Sequence, residues 1–257
     1  MMIATIVTAI LAGTLILLNE TRGLFSQDRF PSQAMKWAAY IWLTLLVLVM
    51  SILVVQSSQS SGAMDMSQVS FWQLFVLHLL LLLFLAVWWV FAGQPPFTDF
   101  VNLQKDRLLE QVLIGGVVGV AGWALTILLA VLIGLALTAG GVMPEDMQPS
   151  PMIPWMAGLA WWKKGLIVLS AMTVEELFFR GWLQKRVGLV ASTVVFALSH
   201  AGYGQPFMLV GITIISLVIG LTFYYSRRLL PCIIAHGVFD AIQIFVIIPL
   251  ALNFLPD

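Results

Sequence analysis

Charge is what this sequence has least of. Only 9% of its 257 residues are Asp, Glu, Lys or Arg, against about 25% in a soluble domain. That scarcity excludes a water-soluble fold. Twelve Lys and Arg balance twelve Asp and Glu, so net charge selects no partner, and no basic stripe marks a nucleic-acid footprint. A single cysteine, Cys232, excludes an internal disulfide. No Lys or Arg precedes the apolar run Met1–Leu18, whereas a cleavable signal peptide opens on a positive segment. That run is expected to stay as a membrane helix. No internal repeat and no soluble domain is evident.

What is present is apolar length. Residues of apolar type make up 61% of the chain, and a bilayer core of about 30 Å needs about 20 of them in a helix. Met1–Leu18, Trp37–Val55, Phe71–Gly93, Val112–Gly140 and Phe207–Tyr225 meet this requirement. Leu229–Leu255 does so while carrying His236, Asp240 and Gln243. Two less obvious spans are Gly165–Gln184, which holds three charges, and Val187–His200, about 21 Å long at 1.5 Å per residue. The expected fold is therefore all-α: a polytopic membrane protein with about eight transmembrane helices.

The cations support an even count. Arg22, Arg29 and Lys36 follow span 1, Lys105 and Arg107 span 3, Lys185 and Arg186 span 5, and Arg227 and Arg228 span 7. In an eight-span chain all four loops share a side, and only Lys163 and Lys164 fall opposite. The positive-inside rule makes the shared side cytoplasmic and puts both termini away from the cytoplasm. The short loops point to a bacterial inner membrane. Gln56–Ser70 reads as an external loop and Gln94–Glu110 as an amphipathic piece along the interface. Trp155, Trp161 and Trp162 form an interfacial belt. Gly115, Gly119 and Gly122 give span 4 a small-residue face, suited to packing within the chain or to a dimer contact. The oligomeric state stays open.

Ionisable residues within spans cost roughly 2.5–3.5 kcal/mol each on insertion scales. Here Asp, Glu and Arg within spans are confined to the last four. Glu176 and Arg180 are four apart, the favourable order for an ion pair on one helix face. Glu175 lies about 100° round the helix without such a partner, and so remains available to accept a proton. His200 closes span 6. His236 and Asp240 are again four apart on one face; this pair could orient an imidazole, bind a metal or satisfy itself. Counting about 1.5 Å per residue from the nearest cytoplasmic cation puts Glu175 roughly 15 Å deep, His200 roughly 20 Å, His236 roughly 12 Å and Asp240 roughly 18 Å. One slab holds them all, which favours one pocket over scattered structural ion pairs. His78 on span 3 sits among leucines and reads as a neutral, hydrogen-bonded core histidine.

Three motifs occur in order on these spans. Glu175-Glu176-Leu177-Phe178-Phe179-Arg180, trailed by Gly181-Trp182-Leu183, resembles EExxxR. Phe196-Ala197-Leu198-Ser199-His200 resembles FxxxH, and His236-Gly237-Val238-Phe239-Asp240 resembles HxxxN/D. Over about Lys164–Leu255 the chain resembles the CPBP family of intramembrane proteases, which includes CAAX prenyl endopeptidases and Abi-type members. The resemblance implies a division into residues 1–163, N-terminal helices (spans 1–4) with their loops, and 164–257, a CPBP-like membrane core (spans 5–8). It implies a glutamic endopeptidase with a chamber formed by the last four helices. Glu175 would activate water with His200. His236 and Asp240 would stabilise the oxyanion, and Glu176 and Arg180 would support Glu175. Asp240 stands where the prenyl endopeptidases have Asn; as an ionised group it only accepts hydrogen bonds, so it either carries a proton or orients His236.

The implied partners are membrane lipids and a peptide or protein substrate, with or without a lipid. No cofactor is expected. Zinc would suit Glu and His ligands, but no HExxH helix demands it, and no GxGD or GxSx motif marks another protease class. Two other readings compete. A proton-coupled transporter would also keep carboxylates and histidines in membrane spans, though inverted repeats are lacking. A non-catalytic immunity or regulatory protein on the same scaffold would be expected to have degenerate motifs, and these are intact.

Overall fold

The computed structural model describes residues 13–14, 19, 23–59, 70–141, 152–201 and 206–252. Every regular element among them is helical. Helix α1 is Gln33–Gln59. A 3₁₀ turn, Phe71–Phe75, leads into α2, Val76–Phe91. Helix α3 is Leu108–Ala139. Helix α4, Trp161–Ser170, continues through two π-helical stretches, Ala171–Glu175 and Leu177–Gln184. Helices α5, Lys185–Ser199, and α6, Pro206–Ser226, follow. Helix α7, Leu230–Ile242, runs on through π-helical Gln243–Ile247 into Ile248–Leu252.

Five stretches are long and apolar enough to cross a bilayer: Gln33–Leu53, Phe71–Phe91, Leu108–Ala139, Met208–Ser226 and Leu230–Leu250. They match five of the expected spans, and the protein is a polytopic all-α membrane protein. Most of expected span 1 and most of the Gln56–Ser70 loop lie outside the described residues. The expected fifth and sixth spans are helices of a different kind. The fifth is too polar to count by hydropathy. The sixth is 15 residues long and is broken at Gly188, whose φ of 82° is left-handed and suits a residue without Cβ.

Burial explains how the polar helix is tolerated. Along Leu177–Gln184 every residue but Leu183 is buried, Arg180 included. Helix α3 is the reverse: Gln111, Gly115, Gly119, Gly122 and Thr126 are buried, while Leu109, Leu113, Val117 and Leu128 face outward. The apolar helices thus turn their large side chains to lipid and wrap the polar one, where each charge finds a partner. One apolar neighbour is α2. Phe84 and Trp88 meet Trp182 edge-on at 4.8 and 5.0 Å, and Phe84 meets Phe178 at 5.7 Å.

The small-residue face of α3 packs within the chain. A Cβ on Gly115 would lie 2.6 Å from Ile234 Cβ, and one on Gly119 2.7 Å from Val238 Cβ, both on α7. Gly122 closes on Ile215 of α6. Contact this close requires glycine and lets α3 lie along the helix carrying His236.

The cation-bearing loops gather on one face, as their distribution predicts. Arg186 Nε donates to Asp28 Oδ2 at 3.0 Å, and its guanidinium covers Trp182 at 4.7 Å. Lys185 Nζ donates to Asn102 Oδ1 at 2.7 Å, and Asn102 Nδ2 to the Arg227 carbonyl at 3.2 Å. Arg228 donates twice to Asp106, each at 2.7 Å, and holds that carboxyl below its ordinary value. At the other end Trp161 and Trp162 are exposed, Trp162 beside Phe71, with Lys163 over the Phe71 ring.

Candidate active site

Two consecutive residues on α4 open two chains of polar contacts. The first begins at Glu176, which has no exposed surface. Its Oε2 is 3.3 Å from Arg180 Nε, the ion pair that the i,i+4 spacing predicts. Its Oε1 is 2.9 Å from His236 Nδ1 on α7, and His236 Nε2 is 3.4 Å from Asp240 Oδ2. Arg180 Nη2 donates to the carbonyl and hydroxyl of Ser216 on α6, both at 3.2 Å. The guanidinium lies over the Phe196 ring of α5 at 4.9 Å. Three helices are thereby tied to α4 through one buried ion pair.

The second chain begins at Glu175. Its Oε2 is 3.8 Å from His200 Nε2. The other His200 nitrogen, Nδ1, lies 2.8 Å from the Phe196 carbonyl, which can only accept, so Nδ1 carries the proton. Glu175 Oε1 is 3.1 Å from Nε2 of His78, whose Nδ1 is 2.6 Å from Ser170 Oγ. His78 is hydrogen-bonded, as read from sequence. The partner is Glu175, on a helix distant in sequence. The site therefore draws on α2 as well as on the last four expected spans. Spacing does not single out His78, because apolar residues surround the helix; burial does. His78, Leu81, Leu85 and Trp88 recur along one face of α2, and the three apolar members are buried.

Exposure separates the Glu176–Arg180 pair from the other site residues. Side-chain exposure is 0% for Glu176 and 1% for Arg180, but 12% for Glu175 and His78, 15% for His200 and 20% for Asp240. Glu176 and Arg180 are sealed, whereas Glu175, His78, His200 and, at the far end of the Glu176 chain, Asp240 keep some exposed surface. All six residues singled out from the motifs are joined: Glu175 with His200, and Glu176 with Arg180, His236 and through it Asp240. Among the described residues no group of three His, Cys, Asp or Glu side chains is arranged to hold a metal ion.

The backbone around both glutamates is π-helical, as it is just after Asp240. Such turns are rare and recur at functional sites. Every motif residue falls within positions 156–242, which match a family model described as type II CAAX prenyl endopeptidase, Rce1-like. This segment is similar to the Rce1-like family. The Rce1-like segment contains both glutamates, His200, His236 and Asp240, but not His78. One curated relative is the uncharacterized protein YpbD of Bacillus subtilis (strain 168), 35% identical over 77 residues. That alignment covers 30% of this chain and 41% of YpbD, so the chain spans less than half the length of the curated relative it matches. No solved structure matches the chain.

Proposed function

We propose that the protein is an intramembrane glutamic endopeptidase in which Glu175 activates the attacking water, with no metal or other cofactor. The observation that carries this reading is the Glu175–His200 pair. Glu175 Oε2 has no hydrogen-bond partner among the described residues and faces His200 Nε2 at 3.8 Å. With its proton on Nδ1, the imidazole presents an acceptor there. One water can then donate to both atoms. As its oxygen bonds to the scissile carbonyl carbon, Glu175 takes a proton. When the C–N bond breaks, that proton passes to the departing amine. Glu176 and Arg180 hold the neighbouring backbone. His236, with one nitrogen on Glu176, has its looser contact to Asp240 and would turn Nε2–H from there toward the developing oxyanion. Asp240 orients the imidazole in the resting enzyme.

The family description points to a peptide or protein substrate, with a lipidated C-terminal cysteine peptide the first to try. The short loops support a bacterial inner membrane as the protein's location. The test uses purified protein in lipid nanodiscs and an internally quenched farnesylated Cys-aliphatic-aliphatic-X peptide. Glu175→Ala and His200→Ala each lower cleavage by about 10²–10⁴-fold while the protein still folds, and dialysis against a chelator leaves the wild-type rate unchanged. Full activity in either variant would sink the mechanism.

A further inference from the structure

The motif residues lie in the Rce1-like segment; His78 lies outside it, on a helix that carries no motif. We propose that His78, held by Ser170, is a positioning residue that fixes Glu175 by one oxygen and leaves the other turned to His200. This rests on the reading of Glu175 as the base.

Proton bookkeeping gives the chain a direction. An ionised carboxylate only accepts, so at 3.1 Å the proton between His78 and Glu175 belongs to His78 Nε2. In a neutral imidazole Nδ1 is then the acceptor, and Ser170 donates its hydroxyl to it at 2.6 Å. Ser170 O–H, the imidazole and Glu175 Oε1 thus form one directed series with each donor matched to one acceptor. A neutral imidazole supplies a hydrogen bond to a buried carboxylate without adding charge to the interior, where an unmatched charge is costly.

The local backbone makes this geometry available. Ser170 and Glu175 are five residues apart, about 140° round an ordinary α-helix, too divergent to meet one imidazole. The π-helical Ala171–Glu175 stretch replaces that spacing with i→i+5 closure, bringing residues five apart toward one face. The imidazole itself is placed by packing of Phe84 and Trp88 on Phe178 and Trp182 along parallel α2 and α4. A glutamate has three rotatable side-chain bonds. Pinning one oxygen keeps Oε2 aimed at His200 instead of sweeping the pocket, and displacement of a catalytic group by about 1 Å can cost 10²-fold.

Three substitutions separate positioning from packing. His78→Gln keeps a donor near the place of Nε2, within reach of Glu175. His78→Asn keeps one only near Nδ1, beside Ser170. His78→Leu keeps neither. On the farnesylated peptide, Leu and Asn should lower kcat about 10- to 100-fold with KM changed little, and Gln should recover most of the rate. Equal rates for Gln and Asn, or a loss confined to KM, overturn the proposal. Glu175→Ala, run in parallel, keeps the two readings apart. If it is inactive while His78→Leu is fully active, only this inference fails; if it is fully active, the catalytic reading fails first.

A second measurement needs no substrate. The chain has three histidines, so ¹⁵N-histidine spectra can be assigned with single substitutions. His78 should be the neutral Nε2–H tautomer, with a bonded Nε2 proton that moves upfield in Glu175→Ala. An Nδ1–H tautomer, or no response to Glu175→Ala, overturns the proposal.

Discussion

At the scale of single residues, adjacent glutamates do opposite things because their surroundings differ. Glu176 and Arg180 are both sealed from solvent, and each also braces another helix. Removing one partner strands the other charge in the interior, a loss of about 3–5 kcal/mol. Glu176→Ala and Arg180→Ala should therefore unfold at clearly lower temperature or denaturant in a detergent melt, whereas Glu175→Ala should melt close to wild type. The two i,i+4 pairs, Glu176–Arg180 and His236–Asp240, were legible from spacing, because one helix fixes both members. The links Glu176–His236 and Glu175–His78 were not, because they depend on how separate helices rotate against each other. The His78 link was hidden for a specific reason. In a helix that is leucine nearly all round, no polar face marks which side turns inward, and only the buried Leu81, Leu85 and Trp88 reveal it.

At the scale of elements, glycine spacing decides how closely α3 approaches α7. A methyl group on Gly119 would press on Val238 Cβ at 2.7 Å and the Ala235 carbonyl at 2.8 Å, while Gly116 has nothing within 4 Å of the same construction. Gly119→Ala should cost about 1–3 kcal/mol through overpacking and displace His236. Gly116→Ala should be neutral or slightly stabilising, since alanine favours a helix over glycine. Paired melts of the two variants check this, and equal stability would contradict the packing. The small-residue stripe was visible in the sequence; that it faces α7 and α6 rather than a second copy needed the structure. The π turns were invisible, because hydrophobic periodicity reports which residues are apolar and not where a helix takes in an extra residue.

At the scale of the molecule, the distribution of cations foretold which loops meet. Asp28 with Arg186, Asn102 with Lys185 and the Arg227 carbonyl, and Asp106 with Arg228 join four loops on one face. If that face is cytoplasmic, alkaline phosphatase fused after Asp257 should be active in a bacterial host and a fluorescent protein fused there should be dark. The opposite pattern would reverse the orientation.

The burial of the polar helix has a consequence for how the protein is made. Helices α1 to α3 leave the ribosome before α4, and α6 and α7 after it. When α4 emerges, Phe84 and Trp88 can already offer a surface to Phe178 and Trp182, but Ser216 and His236 have yet to be synthesised. For that interval Glu176 and Arg180 have only each other, and the nascent segment is poorly suited to sit alone in lipid. Its retention in the membrane is thus a task shared between helices already inserted and helices still to come, and chains truncated just after Arg186 should be held less firmly than those that continue through α7.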